Sequence, residues 1–299
     1  MTEQNTENNN VVVITGGSRG IGRELALRLA AHGDRLVLNY KKNAEMAERT
    51  LADVRAAGGD GITVQADIET VEGIEKLFDT VAASYPTITG FVSNAAASAF
   101  KPVDGIKALH FERGFNMNVR PLVLGAERAA AMMPHGGRIL AVTSYGSQRA
   151  FPTYALLGAA KAAEEAFVRY MAVEYGPRAI TVNAVNGGLI DTDSLDFFYN
   201  RVPGMAPVQS VIDKIPLRRP GKAADMAAAM EFLLSANAGY ITGQVLNVDG
   251  GITVVAPPYW ADTSSPLRDA VLPADSAVTM PSYGADGDSG DASGEAPRS

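Results

Sequence analysis

The sequence contains no cysteine, which excludes disulfides, a thiolate nucleophile and thiolate metal sites together. Its three histidines, His32, His110 and His135, are scattered. No His/Asp/Glu set has metal-ligand spacing, so no metal is expected. No stretch approaches the roughly 18 consecutive apolar residues of a membrane span. Met1–Asn10 is polar and lacks the basic, then apolar, order of a secretory signal. Basic residues are outnumbered, 26 against 33 acidic, for a net charge of -7. That balance argues against nucleic acid as a main partner. The absences together point to a cytoplasmic protein with neither membrane nor nucleic acid as partner.

What is present alternates. Short β-branched runs, such as Val11 to Ile14, Arg35 to Tyr40 and Ile62 to Ala66, are each followed by a stretch with helical apolar spacing. Further strands are expected at Phe91 to Asn94, Arg138 to Thr143, Ile180 to Val185 and Gln244 to Val248. The longest helices are expected from about His110 to Met133 and from Tyr154 to Tyr175. Strict β–α alternation predicts an α/β fold with a doubly wound parallel sheet. Ligands then bind where the strands' C-terminal ends share one edge. The folded domain is expected over 11–256, after a disordered 1–10. Beyond it, 257–299 is rich in Ala, Asp, Gly, Ser and Pro, with seven acidic residues against two basic. It reads as an acidic, low-complexity tail, disordered from about Pro273 and solvating; before that point Tyr259, Trp260 and Leu267 could dock locally.

The first strand runs into Thr15-Gly16-Gly17-Ser18-Arg19-Gly20-Ile21-Gly22. Glycines between a strand and a helix let the backbone turn sharply and approach a pyrophosphate, which the helix's N-terminal amides stabilise. The second strand ends in Asn39-Tyr40-Lys41-Lys42, with no carboxylate to bind a ribose diol. Cations there and at Arg19 favour a 2′-phosphate, hence NADPH over NADH.

Ser144, Tyr154 and Lys161 follow the fifth strand. Six residues separate that tyrosine from the lysine, and Leu157 stands where a spacing of three would put a tyrosine. Seven positions are close to two helical turns, so Tyr154 and Lys161 can share a face. A tyrosine at 157 would lie ~4.5 Å nearer the lysine along the axis. With the glycine turn, Asn94-Ala95-Ala96, Asn118 and Asp249-Gly250-Gly251, the chain resembles the short-chain dehydrogenase/reductase family over roughly Val11 to Val254. The wide tyrosine–lysine spacing resembles the enoyl-acyl-carrier-protein reductases within it. Tyr145, the Arg149 to Tyr154 segment and Val168 to Ala172 are similar to the common bacterial type. Asn94-Ala95-Ala96 and Gly187 to Asp193 are similar to the NADPH-dependent third type. The chain has one residue fewer between Tyr145 and Tyr154 than the first pattern. It differs from the third in having Tyr145, and from both in its long acidic tail.

The resemblance implies a Rossmann fold and a homotetramer or homodimer. It also implies reduction of an enoyl thioester, carried on acyl-carrier protein or coenzyme A, in fatty-acid or polyketide biosynthesis. Tyr154 would donate to the thioester oxygen and Lys161 would bond the nicotinamide ribose. Ser144 would orient substrate, and Asn118 would open the long helix to a water chain. Cofactor contacts are implied at Gly16, Ser18, Arg19, Gly20, Ile21, Tyr40, Lys41, Ala66, Asp67, Ile68, Asn94, Ala95, Ala96, Thr143, Tyr154, Lys161, Gly188, Ile190 and Thr192. Substrate contacts are implied at Ala97, Tyr145, Tyr154 and Phe198. The apolar segment 193–217 is expected to form a lid suited to an acyl chain. Basic residues in and just after it, such as Arg201, Lys214, Arg218 and Arg219, could meet an acidic carrier or simply be solvated. Two other readings remain open at this point: a 3-oxoacyl or other carbonyl reductase, and a non-catalytic dinucleotide-binding protein.

Overall fold

The computed structural model describes residues 10–192, 195, 199 and 207–255. The expected N-terminal disorder, the acidic tail and much of the lid lie outside them, Phe198 included. The strands are β1 (Val11–Thr15), β2 (Arg35–Tyr40), β3 (Asp60–Gln65), β4 (Gly90–Ser93), β5 (Gly137–Ser144), β6 (Ile180–Gly187), β7 (Ile190–Asp191), β8 (Gly221–Lys222) and β9 (Val245–Val248). The helices are α1 (Gly20–Ala30), α2 (Ala44–Ala56), α3 (Val71–Ser84), α4 (Ala108–Ala131), α5 (Ala155–Tyr175), α6 (Val208–Ile212) and α7 (Ala223–Leu234).

Seven strands form one sheet in the order β3-β2-β1-β4-β5-β6-β9, and each neighbouring pair is parallel. This is the doubly wound α/β sheet expected from the alternation. The two-residue strands β7 and β8 pair separately, which the sequence pattern does not suggest.

Strand periodicity divides the core in two. Val11 and Val13 of β1 pack with Phe78 of α3, Leu122 of α4 and Met171 of α5. Val12 and Ile14 point the other way, to Leu25 of α1, Leu51 of α2 and Met230 of α7. Both faces of the sheet are therefore covered, which is why its strands read as continuous apolar runs rather than as alternations. β1 and β4 are neighbours although distant in sequence, and the chain leaves them for helices on opposite faces. A crevice opens at such a reversal, beyond the strands' C-terminal ends.

Helix α4 carries an interruption at the level of that crevice. Pro121 has no N–H, so the Met117 carbonyl loses its donor four residues on. One turn earlier, Asn118 Nδ2 donates to Gly114 O at 2.7 Å and to Ala97 O at 2.9 Å, tying α4 to the loop after β4. Asn118 Oδ1 is buried with no protein partner.

Candidate functional site

The turn between β1 and α1 is built so that only glycine serves at two points. Gly16 and Gly20 have φ of +63° and +54°, in the left-handed region. At Gly20 a Cβ would meet nothing within 4 Å, so the demand there is conformational and the adjoining space is open. At Gly22 a Cβ would come within 2.5 Å of Gly16 O and 2.8 Å of Asn94 Nδ2. Asn94 is the brace of the turn: its Nδ2 donates to Thr15 O at 2.9 Å and Gly16 O at 3.2 Å. Thr15 Oγ1 in turn accepts the Asn94 and Ala95 amides at 2.9 and 3.1 Å. The glycine turn after β1 and the Asn94-Ala95-Ala96 loop after β4 are thus one hydrogen-bonded unit. Gly22→Ala is expected to weaken nicotinamide-cofactor binding and to cost about 1–3 kcal/mol of stability by overpacking. Cofactor titration and denaturant melts of the variant check both.

The corner after β2 differs from its sequence reading. Lys41 Nζ lies 2.8 Å from Asp67 Oδ2 and 3.0 Å from Glu69 Oε2. The hydrogen bond to Asp67 is the main cause that holds its ammonium pKa above the ordinary value. Glu69 also meets Arg113 Nε at 3.0 Å, and its carbonyl accepts from Arg120 Nη1 at 2.9 Å. Lys41 is therefore part of an ion-pair cluster rather than a lone cation. The reason is register: β3 pairs in parallel with β2, with Gln65 opposite Tyr40, so residues just past β3 land beside those just past β2. Ala66 and Ile68 are buried on either side of Asp67.

After β5 the chain makes a short 3-10 turn, Tyr145–Ser147, and returns into α5. Helix α5 starts at Ala155, three residues after Pro152, with Tyr154 as the N-cap residue. Thr153 before it has φ +66°, a strained conformation for a β-branched residue worth about 1–3 kcal/mol. Its carbonyl accepts the Lys101 amide at 3.0 Å. Tyr154 Oη and Ser144 Oγ are 2.9 Å apart. The phenol ring stacks on Phe100, with centroids 5.7 Å apart, and meets Phe151 at 4.2 Å. A Cβ on Gly146 would run into the Tyr154 ring, and one on Gly158 would sit 2.6 Å from Gly146 O. These two glycines let the turn and the helix close around the phenol. Burial pushes the Tyr154 hydroxyl above its ordinary pKa, partly offset by the Ser144 hydrogen bond. Leu157 is buried in the core.

Lys161 is also buried. Its Nζ donates to Val142 O at 2.7 Å and faces Glu164 Oε1 and Oε2 at 2.9 and 3.1 Å. Glu165 accepts from Ser147 Oγ at 2.5 Å and from Asn186 Nδ2 at 3.1 Å. Neither acid was singled out by the sequence pattern. The available signal is two acids inside an apolar helix, one of them three residues past a lysine, a spacing that puts both on one face. The wall residues Phe100 and Phe151 were missed too. Tyr145 stacks on Phe151 at 5.1 Å. Burial raises its hydroxyl pKa, and it hydrogen-bonds Tyr199 from the expected lid. Thr143 Oγ1, at the mouth of β5, is buried without a protein partner. Past β6, a Cβ on Gly188 would lie 2.7 Å from Asp249 Cα, so the Asp249-Gly250-Gly251 turn packs directly on it. Asp249 holds that turn through Gly251 N at 2.8 Å and Thr253 N at 3.0 Å. Ile190 lies in β7, and Thr192 Oγ1 meets Ile190 O at 3.4 Å. Among the expected basic residues, Arg219 pairs with Asp225 at 2.7 Å rather than standing alone. No group of three or more His, Asp or Glu among the described residues could hold a metal ion. No helix among them is long and apolar enough to cross a membrane.

The profile of a family described as Enoyl-(Acyl carrier protein) reductase matches residues 16–253. A curated relative, 1-cyclohexenylcarbonyl-CoA reductase of Streptomyces collinus, is 57% identical over 266 residues, covering 89% of this chain and 95% of that one. The chain is a short-chain dehydrogenase/reductase. A versicolorin reductase of Emericella nidulans is 33% identical, covering 81% of this chain and 94% of its own length. Among solved structures, levodione reductase aligns with a TM-score of 0.78 at 30% identity, over 83% of this chain and 98% of that one. A short-chain dehydrogenase/reductase from Serratia marcescens gives 0.76 at 29%, over 83% and 99%. The protein is accordingly an oxidoreductase of a family that uses nicotinamide dinucleotides.

Proposed function

We propose that this short-chain dehydrogenase/reductase reduces the α,β C=C bond of an enoyl thioester with NADPH, and that the thioester is carried on coenzyme A. The observation that carries the reading is where the phenol stands. The hydroxyl that reaches Ser144 at 2.9 Å comes from Tyr154 at the N-cap of α5, while position 157 is a buried leucine. In a ketone the carbon that takes hydride bears the oxygen that needs the proton. In an enoyl thioester hydride goes to Cβ, and charge develops on an oxygen three bonds away, which suits a donor set farther from the lysine. Coenzyme A rather than acyl-carrier protein is supported by the 57% identical relative, a 1-cyclohexenylcarbonyl-CoA reductase.

The dinucleotide fits the residues present. Supporting this are the open space beside Gly20, the turn after β1 braced by Asn94, and the buried Thr143 hydroxyl near the end of β5, which has no protein partner. Gly16, Ser18, Arg19, Gly20 and Ile21 would hold the pyrophosphate. Tyr40 and Lys41 would flank the adenosine ribose, with Ala66, Asp67 and Ile68 beside the base. Asn94, Ala95, Ala96, Thr143, Gly188, Ile190 and Thr192 would line the nicotinamide end. NADPH is favoured because β2 ends without a carboxylate. A 2′-phosphate there would compete with Asp67 and Glu69 for Lys41. When bound, the reduced nicotinamide supplies a hydride.

Tyr154, kept protonated by burial, donates a hydrogen bond to the thioester oxygen and stabilises the enolate as it forms. Ser144 orients that phenol. Lys161 bonds the nicotinamide ribose and adds positive charge beside the site. A proton from water then reaches Cα. Tyr145, Phe100 and Phe151 present ring faces to the acyl group, with Ala97 and Phe198 also at the substrate. A second reading, a carbonyl reductase, is favoured by the relatives near 33% identity named for versicolorin and hydroxynaphthalene.

The test follows NADPH oxidation with 1-cyclohexenylcarbonyl-CoA, crotonyl-CoA and acetoacetyl-CoA, in wild type and Leu157→Tyr. Turnover of the two enoyl substrates alone is expected of the wild type. Reduction of acetoacetyl-CoA alone would replace the reading by the carbonyl one. Tight NADPH binding with no turnover on any of them would leave a binding protein.

A further inference from the structure

The middle of α5 is charged where its surroundings are apolar. Glu164 is 1% exposed and Lys161 4%. An ammonium has three N–H donors. Those of Lys161 meet Val142 O at 2.7 Å and the two Glu164 oxygens at 2.9 and 3.1 Å. The adjacent Glu165 is also buried but turned to Ser147 and Asn186. Two buried carboxylates therefore sit beside one buried cation. The charges acting on Glu164 are those of Lys161 and Glu165, both on its own helix. Among the elements packed on α5, the β5 carbonyl of Val142, Asn186 of β6 and Ser147 of the turn bring uncharged groups to the cluster, and no charge from α4, which also packs on α5, is among those acting on Glu164.

We propose that Glu164 is a positioning residue that competes with the cofactor's ribose for the N–H groups of Lys161, so that cofactor binding draws a proton onto Glu164. This rests on the reading of Lys161 as a ribose contact. Ionised, Glu164 offers two acceptor oxygens to the ammonium; protonated, it keeps one and frees an N–H to reach the ribose. The proton comes from solvent and forms one Oε–H bond. Burial, working against the pull of Lys161, pushes this carboxyl up to about 7. Protonation therefore falls near neutral pH. Because the protonated form is the one that lets the lysine turn, cofactor affinity rises as pH falls through that value. Above it, binding takes up a proton.

Isothermal titration of the full chain with NADPH at pH 8, in two buffers of different ionisation enthalpy, counts that proton. A 2′-phosphate, with a second pKa of about 6, is already ionised there. The wild type is expected to take up a fraction of a proton per NADPH bound. Glu164→Gln, whose amide keeps a single acceptor oxygen, is expected to take up none. It should bind NADPH about fivefold more tightly than wild type at pH 8, the worth of one hydrogen bond, and no more tightly at pH 6. No uptake in the wild type overturns the proposal without recourse to any variant. Equal uptake in Glu164→Gln, or its loss in Glu165→Gln instead, overturns the assignment to Glu164. Lys161→Met separates the two levels. Unchanged NADPH affinity in it sinks the ribose contact itself. Weakened affinity, with no uptake in the wild type, sinks only the role of Glu164.

Discussion

On the proposed reaction, Tyr154→Phe is expected to lower kcat for enoyl-CoA reduction by about 10²- to 10³-fold, the range found when one donor to a developing oxyanion is removed. KM changes by no more than a small factor, because the substitution removes a hydroxyl and leaves the ring. That ring is what packs on Phe100 and Phe151, at 5.7 and 4.2 Å, so the aromatic wall and the start of α5 persist. The Ser144 hydroxyl is left without its 2.9 Å partner but can still accept the Gly146 amide at 3.3 Å. Steady-state kinetics with crotonyl-CoA and 1-cyclohexenylcarbonyl-CoA, alongside thermal melts, measure the effect. Full activity in the phenylalanine variant would remove Tyr154 from the chemistry. A large rise in KM alone would make it a binding residue.

Lys161→Met is expected to destabilise the fold by about 3–5 kcal/mol at pH 8, the usual cost of removing one member of a buried ion pair. The loss is smaller at pH 6. Glu164 already has its folded pKa raised above the ordinary 4.5, to about 7, by burial. The ammonium is what holds it down, so removing Lys161 raises it further. A carboxyl with a raised folded pKa is accommodated while protonated. Stability is therefore lost as pH climbs from the unfolded value through the folded one. In the variant that decline extends to higher pH than in the wild type, so the gap between the two chains widens above neutrality. The double variant Lys161→Met/Glu164→Gln recovers most of the loss, since no uncompensated charge is left inside. Denaturant unfolding at the two pH values decides the matter, and an equal loss at both would mean that the methionine disturbs packing rather than charge.

The sheet was legible in the sequence because its strands are short, mostly apolar runs between turn signals. The largest helices shifted by two residues or fewer from their expected ends. β7 and β8 were not legible: two-residue strands have no period to detect. Of the residues picked out along the chain, Asn94 meets the glycine turn, Ser144 meets Tyr154, and Asn118 is tied to the loop after β4. Partnerships across elements were the part that stayed hidden. Lys41 reads as a phosphate ligand along the chain. Only the parallel register of β2 with β3 shows that Asp67 and Glu69 reach it first. Glu164 was overlooked for a different reason. Acids on a long helix are ordinarily solvated, and its burial depends on β5 and the turn after it covering that face. The aromatic stack from Phe100 through Tyr154 and Phe151 to Tyr145 joins two loops separated by some fifty residues, and no local spacing announces it.

Leu157 is buried, and a side chain at Gly146 would collide with the ring of Tyr154. A lineage exchanging one tyrosine position for the other cannot slide the phenol along the helix. Single changes lead either through a chain with both phenols, one forced into a leucine-sized space, or through a chain with neither. An exchange of one tyrosine position for the other would therefore pass through a chain with two phenols or with none, and reconstructed ancestral sequences would tell whether such a chain existed.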